Sequence, residues 1–250
     1  MNQQTPDPRQ NTTRQMPLLS LLPNMVTILG LCFGLTSIRF AFEGRFEIAA
    51  VLLILAAIVD ASDGLLARRL NAASPFGAEL DSLSDFVCFG VAPALLVYRF
   101  GLGDLWGLGW VAALTFSICC CLRLARFNVM AKDEEEDTST HFIGVPAPAG
   151  AMMGLFPVFL YLSEFADMRQ VDMLIAVWVL LVGGLMIAPF KTISLKAMKV
   201  SRENVVYILL AAAVVIGLML TRLWLFCVLA TFLYSALLAW GIVRDRRRRP

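Results

Sequence analysis

Hydrophobic positions dominate the chain in long blocks, with polar residues gathered into short breaks between them. Apolar stretches run over about residues 25–42, 46–68, 80–99, 107–127, 147–163, 171–190, 204–221 and 223–243. Each approaches the ~20 residues that a helix needs to cross a bilayer core. None shows the strict apolar/polar alternation of barrel strands, and a backbone in lipid must satisfy its own hydrogen bonds, so helices are the predicted spanning elements. The expected fold class is an all-α integral membrane protein, a polytopic bundle of about eight transmembrane helices.

Composition agrees with this pattern. Of 250 residues, 59% are hydrophobic and only 16% charged, and the mean hydropathy is +0.75, well outside the range of ordinary globular domains. Short breaks and the lack of a clear repeat predict one membrane domain over 21–243, flanked by a polar tail, 1–20, and a basic tail, 244–250. The first tail carries Pro8, Arg9 and Arg14 ahead of a full-length apolar block and reads as disordered rather than as a cleaved signal.

Charge then fixes an expected orientation. With both termini on the cytosolic side, 16 of the 21 basic residues fall on that side, and only Arg39, Arg45, Arg99, Arg169 and Arg222 fall outside. The positive-inside rule favours this arrangement, in a bacterial-type inner membrane and with an even number of spans. The net charge of +2 hides a basic inner face suited to anionic lipid headgroups, and nothing in it points to nucleic acid. Six cysteines, three of them the run Cys119 to Cys121, have neither disulfide-framework nor zinc-site spacing and read as small core residues. The acidic run Asp133 to Asp137 reads as a solvated loop. The single histidine, His141, cannot build a histidine metal site.

One feature of the apolar blocks demands a chemical explanation. Asp60, Asp63, Asp81 and Asp85 fall within 26 residues of a membrane-spanning region, where each aspartate costs a few kcal/mol. On a helix, Asp60, Asp63, Gly64 and Ala67 share one face at i, i+3, i+4 and i+7, and Gly77, Asp81 and Asp85 share another. Asn71, Ser74 and Pro75 mark a turn between them, so the two helices form an antiparallel hairpin. At ~1.5 Å per residue, Asp60 lies roughly 15 Å and Asp85 about 13 Å from that turn, so the carboxylates converge at similar depth near the cytosolic face.

Four neighbouring carboxylates cannot all stay ionised without cations. Oxygen-only donors with no nearby His or Cys suit Mg²⁺ or Mn²⁺. The small residues Gly64, Ala67 and Gly77 on the same faces leave room for a ligand or for another backbone.

The stretch D-x2-D-G-x2-A-R-x8-G-x3-D-x3-D, carried by Asp60, Asp63, Gly64, Ala67, Arg68, Gly77, Asp81 and Asp85, resembles the signature of the CDP-alcohol phosphotransferase family. The resemblance implies a six-helix catalytic core and two metal ions held by Asp60, Asp63, Asp81 and Asp85. It also implies that those ions clamp the diphosphate of CDP-diacylglycerol and that Asp85 acts as general base. It places Gly64, Ala67, Arg68, Ser74 and Gly77 along the CDP-lipid pocket, with Asn24 and Thr27 at the start of the first span. Asn24 is also a candidate N-cap after Pro23. Family members are commonly homodimers.

Two further segments, Arg123-Leu-Ala-Arg126-Phe127-Asn128 and Phe142-Ile-Gly144-Val-Pro146-Ala-Pro148, resemble the phosphatidylserine synthase branch. That resemblance implies Arg123, Arg126 and Asn128 around an L-serine acceptor. Arginines at an inner helix end also commonly snorkel as anchors. Ile187-Ala-Pro189-Phe190-Lys191 departs from the family pattern after the sixth span and leaves Lys191 without an assigned role. The expected reaction is CDP-diacylglycerol plus serine giving phosphatidylserine and CMP. The same aspartates would serve another acceptor, such as glycerol 3-phosphate, inositol phosphate or choline, and a cation- or proton-coupled transporter would also bury acids.

Overall fold

The computed structural model describes residues 21–70, 74–133, 144–188 and 205–246. The polar N-terminal tail, Asn71, Glu134 to Asp137, His141, Phe142, Lys191 and the last four residues of the basic tail lie outside the described residues, as do the side chains of Ala67 and Arg68. Within the described residues every regular element is helical. The helices are α1 (Leu22–Phe42), α2 (Phe46–Arg69), α3 (Pro75–Asp85), α4 (Ala92–Val97), α5 (Trp106–Asp133), α6 (Ala147–Gly154), α7 (Phe156–Leu162), α8 (Asp172–Ile187), α9 (Val205–Thr221) and α10 (Leu223–Arg246).

The all-α expectation therefore holds, with a helix in each of the eight apolar blocks. Among the described residues five are long and apolar enough to cross a membrane: Leu22–Phe42, Phe46–Leu66, Pro75–Leu102, Gly107–Met130 and Leu223–Arg244. α8 has 16 residues and α9 has 17, so these two are shorter. The block at 147–163, expected as one span, is broken into α6 and α7 at Leu155. Pro157 is the reason. Lacking an N–H, it cannot donate to the carbonyl of Met153 four residues back. The Trp178 Nε1–H on α8 donates to that carbonyl instead, at 2.7 Å.

The third block is one continuous helix, Pro75–Leu102, but not a regular one. It widens into π geometry at Phe86–Val91 and again at Tyr98–Leu102. Pro93 follows the first wide turn, and the extra residue there absorbs the ring and the missing donor that a regular α-helix would not tolerate. The wide turn starts directly after Asp85.

Packing follows the logic of a bundle in lipid. The interior between helices is built largely of small side chains, including Ala41, Ala49, Ala50, Ala56, Ala92 and Ala112, all buried. Leu35, Ile58, Ile118, Leu181 and Phe232 face outward. Small residues let backbones approach where the hydrophobic effect gives little drive for helix association. α1 and α2 are joined by a tight turn in which Gly44, at φ +74°, takes the left-handed conformation that ends a helix cheaply. Their contact is tied by Ser37 Oγ donating to the Ala49 carbonyl at 2.8 Å.

The six cysteines are all free thiols. Cys88, Cys119, Cys120 and Cys227 are buried as expected, whereas Cys32 and Cys121 are exposed on the outside of the bundle. At the end of the bundle that carries Gly44, the Arg169 side chain donates to both carboxylate oxygens of Asp167, at 3.1 and 3.0 Å. These bonds hold the Asp167 carboxyl below the usual carboxylate range.

Candidate metal and phosphate-transfer site

The site forms where α2 and α3 emerge from their hairpin and α1 lies across them. Ser74 starts α3 as an N-cap, its Oγ accepting the Gly77 N–H at 3.0 Å, with Pro75 at the first helical position where its missing donor costs nothing. The cap fixes the phase of α3 and so turns Asp81 and Asp85 toward α2. One carboxylate oxygen from each of Asp60, Asp63 and Asp81 lies within 4.8 Å of the others. Asp85 joins the group through Asp60, the two carboxyls being within hydrogen-bonding reach. Among the described residues none of the four is in an ion pair.

α1 supplies the neutral support. Thr27 Oγ1 donates to Asp63 Oδ2 at 2.9 Å, and both residues are nearly buried, at 6% and 5% exposure. The same hydroxyl reaches the Pro23 carbonyl at 3.1 Å. From α3, Ser84 Oγ donates to the Thr27 carbonyl at 3.4 Å. One turn on, the Cys88 thiol reaches the Gly30 carbonyl at 3.4 Å. Asn24 is not an N-cap, since α1 begins earlier, at Leu22. It lies in the first turn with its side chain over α3. A Cβ added at Gly77 would come within 2.8 Å of Asn24 Oδ1 and 3.1 Å of Ser74 Oγ. Glycine at 77 thus leaves room for the Asn24 amide and the capping Ser74 hydroxyl, a structural use of a position that the sequence places along the lipid pocket.

The remaining sequence candidates divide. Asn128 and Ser82 hydrogen-bond each other, with Asn128 Nδ2 at 2.9 Å from Ser82 Oγ, and so join α5 to α3 beside Asp81. Arg126 Nη1 donates to the Ile187 carbonyl at 3.2 Å, satisfying an end of α8 that its own helix cannot. Arg123 is different. Its Nε is buried without a hydrogen-bond partner, and its charge lies within electrostatic reach of Asp85. Ser82, Ser84 and Cys88 escaped the sequence reading because serines and cysteines in an apolar helix carry no signal until their partners are known.

A cavity of about 10 Å³ is lined by Thr27, Asp60, Asp63, Ser84 and Asp85, room for roughly one water-sized species. A cluster of carboxylates around so small a space, with no cationic side chain among the described residues bonded to it, fits a hard cation. Eight fixed motif positions on this geometry decide the family, and the profile of the CDP-alcohol phosphatidyltransferases matches residues 20–187.

The chain belongs to the CDP-alcohol phosphatidyltransferase family.

Members of this family are in general metal-dependent, and Asp60, Asp63 and Asp81 form a group that could hold a metal. The chain is 45% identical over 150 residues to a Mycobacterium bovis protein named CDP-diacylglycerol–serine O-phosphatidyltransferase, covering 58% of this chain and 52% of that one. It thus spans about half the length of the mycobacterial relatives it matches. A Helicobacter pylori protein of the same name is 31% identical over 227 residues, covering 90% of this chain and 94% of its own. One from Methanocaldococcus jannaschii is 35% identical over 170 residues, covering 68% and 72%. The family match ends at Ile187, so α9 and α10 lie beyond it.

Proposed function

We propose that the protein transfers a phosphatidyl group from CDP-diacylglycerol to L-serine, giving phosphatidylserine and CMP. The observation that carries the reading is the convergence of Asp60, Asp63 and Asp81 within 4.8 Å, with Asp85 against Asp60. The names of the relatives favour serine as acceptor. In this reading the four aspartates hold two Mg²⁺ or Mn²⁺ ions, which when bound neutralise diphosphate charge and improve CMP as a leaving group.

The chain's own groups account for the rest. Asp85, at the edge of the cluster where α3 widens, accepts the proton of the serine hydroxyl as its oxygen attacks the phosphorus in line with the departing CMP oxygen. Thr27 holds the Asp63 carboxylate in one rotamer, and the Asn128–Ser82 pair fixes α5 against the strand of helix that carries Asp81. Arg68 counters phosphate charge, and Asn24, Gly64, Ala67, Ser74 and Gly77 border the CDP-lipid. Arg123 receives the acceptor, with Arg126 and Asn128 holding the helix on which it stands.

The site faces the cytosol in this reading, with both termini on that side of an inner membrane, because 16 of 21 basic residues gather there. The working unit is a homodimer. The deciding experiment supplies the purified protein with CDP-diacylglycerol and, separately, labelled serine, glycerol 3-phosphate, inositol phosphate and choline. CMP release that needs serine and Mg²⁺ or Mn²⁺, and stops with a chelator, is the expected result. Transfer to another acceptor overturns the serine assignment. Absence of any metal-dependent CMP release overturns the enzyme reading and revives a transporter.

A further inference from the structure

Three buried side-chain polar atoms among the described residues lack a hydrogen-bond partner: Arg123 Nε, Tyr234 Oη and Asp172 Oδ1. The last is at the far end of the bundle, in the first turn of α8, where the helix dipole favours a carboxylate. The other two belong together. The Arg123 guanidinium and the Tyr234 hydroxyl lie within electrostatic reach of each other, and Arg123 reaches Asp85 as well.

Tyr234 faces inward by design of its helix. Cys227, Thr231, Tyr234 and Leu238 stand at i, i+4, i+7 and i+11 of α10, one face of a helix. Cys227, Thr231 and Leu238 are buried, while Leu229, Phe232, Leu233 and Leu237 between them are exposed. The face is seated by Trp224 stacking on Phe159 of α7, with ring centroids 6.2 Å apart. Depth agrees too. Tyr234 is ten residues from Arg244, Arg123 ten from Asp133 and Asp85 ten from Pro75, so at ~1.5 Å per residue all three lie roughly 15 Å in from the same end.

An arginine Nε can only donate, and the Tyr234 hydroxyl has no acceptor within reach. Buried donors left unmatched are costly and rare. Two of them within electrostatic reach of each other, the arginine also within reach of Asp85, call for an oxyanion from outside the protein. Tyr234 also lines an open apolar pocket of about 340 Å³ with Ile54, Met152 and Phe226, surroundings that suit its ring and offer its hydroxyl little.

We propose that Tyr234, on a helix beyond the family-matched segment, binds together with Arg123 an oxyanion of the substrate, the carboxylate of the acceptor amino acid. The inference rests on the serine reading above. A serine whose hydroxyl is presented to Asp85 must hold its own carboxylate away from four aspartates, and the Arg123–Tyr234 pair offers the cationic and neutral donors to do so. A phosphate of the CDP-lipid is the other source of the same chemistry.

The test is Tyr234→Phe in the full-length protein in lipid nanodiscs, which removes only the hydroxyl. The expected result is a rise of about tenfold in KM for serine, the loss of one hydrogen bond to a charged group. kcat and KM for CDP-diacylglycerol stay within about twofold. The thermal midpoint without substrates is unchanged or higher, because an unmatched buried hydroxyl has gone. A merely structural tyrosine would lower that midpoint and leave the two KM values moving together. An unchanged KM for serine overturns the proposal, and a rise confined to CDP-diacylglycerol overturns it in favour of a lipid phosphate. Arg123→Lys combined with Tyr234→Phe should cost less than the product of the single changes, and a multiplicative result overturns the shared ligand. If the wild type uses another acceptor, the serine reading falls by itself, and Tyr234 is judged on that acceptor's KM.

Discussion

The two ends of the bundle treat charge in opposite ways. At the end with Gly44, arginines find their partners inside the protein: Arg39 pairs with Glu43 at 2.9 Å and Arg169 with Asp167 at 3.0 Å. Arg45 and Arg99 there lie over the rings of Phe40 and Phe42, at 4.9 and 5.6 Å from the centroids. At the aspartate end, four carboxylates and the Nε of Arg123 are left without an ionic partner among the described residues, and Asp63 leans on the neutral hydroxyl of Thr27. A charge satisfied within the fold anchors a helix end. One held in place but left unmatched keeps its interaction energy for a ligand, and the departure from full satisfaction marks a functional site.

That contrast breaks most sharply at Asp85. Asp85→Asn preserves shape and removes the base, so turnover should fall by about 10²–10⁴-fold while CDP-lipid binding, measured by titration, falls much less. Unchanged turnover would refute the base role. Gly77→Ala places a methyl 2.8 Å from Asn24 Oδ1 and 3.1 Å from the capping Ser74 Oγ, and displacing that amide and the cap should cost roughly 0.5–2 kcal/mol in thermal unfolding. Turnover should fall with it, and a neutral Gly77→Ala would show that both side chains have slack.

Thr27→Val removes the 2.9 Å bond to Asp63 with little change in volume. An aspartate that loses the Thr27 hydroxyl should lower turnover about tenfold, in line with roughly 1.5 kcal/mol for a bond to a charged group, and Thr27→Ser should restore most of it. The smallest effect belongs to the other end. Arg39→Gln breaks a solvent-exposed pair and should change stability by no more than about 0.5 kcal/mol, with turnover unaltered. A loss of activity there would mean that the two ends are coupled.

Much of this was written locally. The apolar blocks determine that the chain is helical and where its helices lie, because a span is a contiguous property of the chain, and the aspartates advertise themselves because charge in lipid is costly wherever it occurs. Spacing at i, i+3 and i+4 is enough to put Asp60 with Asp63 and Asp81 with Asp85, since a helix fixes those neighbours by its own geometry. The block at 147–163 reads as one span despite Pro157, and both its break at Leu155 and the repair of the Met153 carbonyl by Trp178 belong to the folded bundle.

What only the tertiary structure decided lies across the gaps between helices. Thr27 meets Asp63 over 36 residues of chain and Ser82 meets Asn128 over 46, while Tyr234 comes within electrostatic reach of Arg123 from a helix beyond the family match. No periodicity reaches that far. Which face of α10 turns inward, and which serine of α3 touches α1, depend on how small residues let particular helices approach. That is a property of the assembled bundle rather than of any one segment.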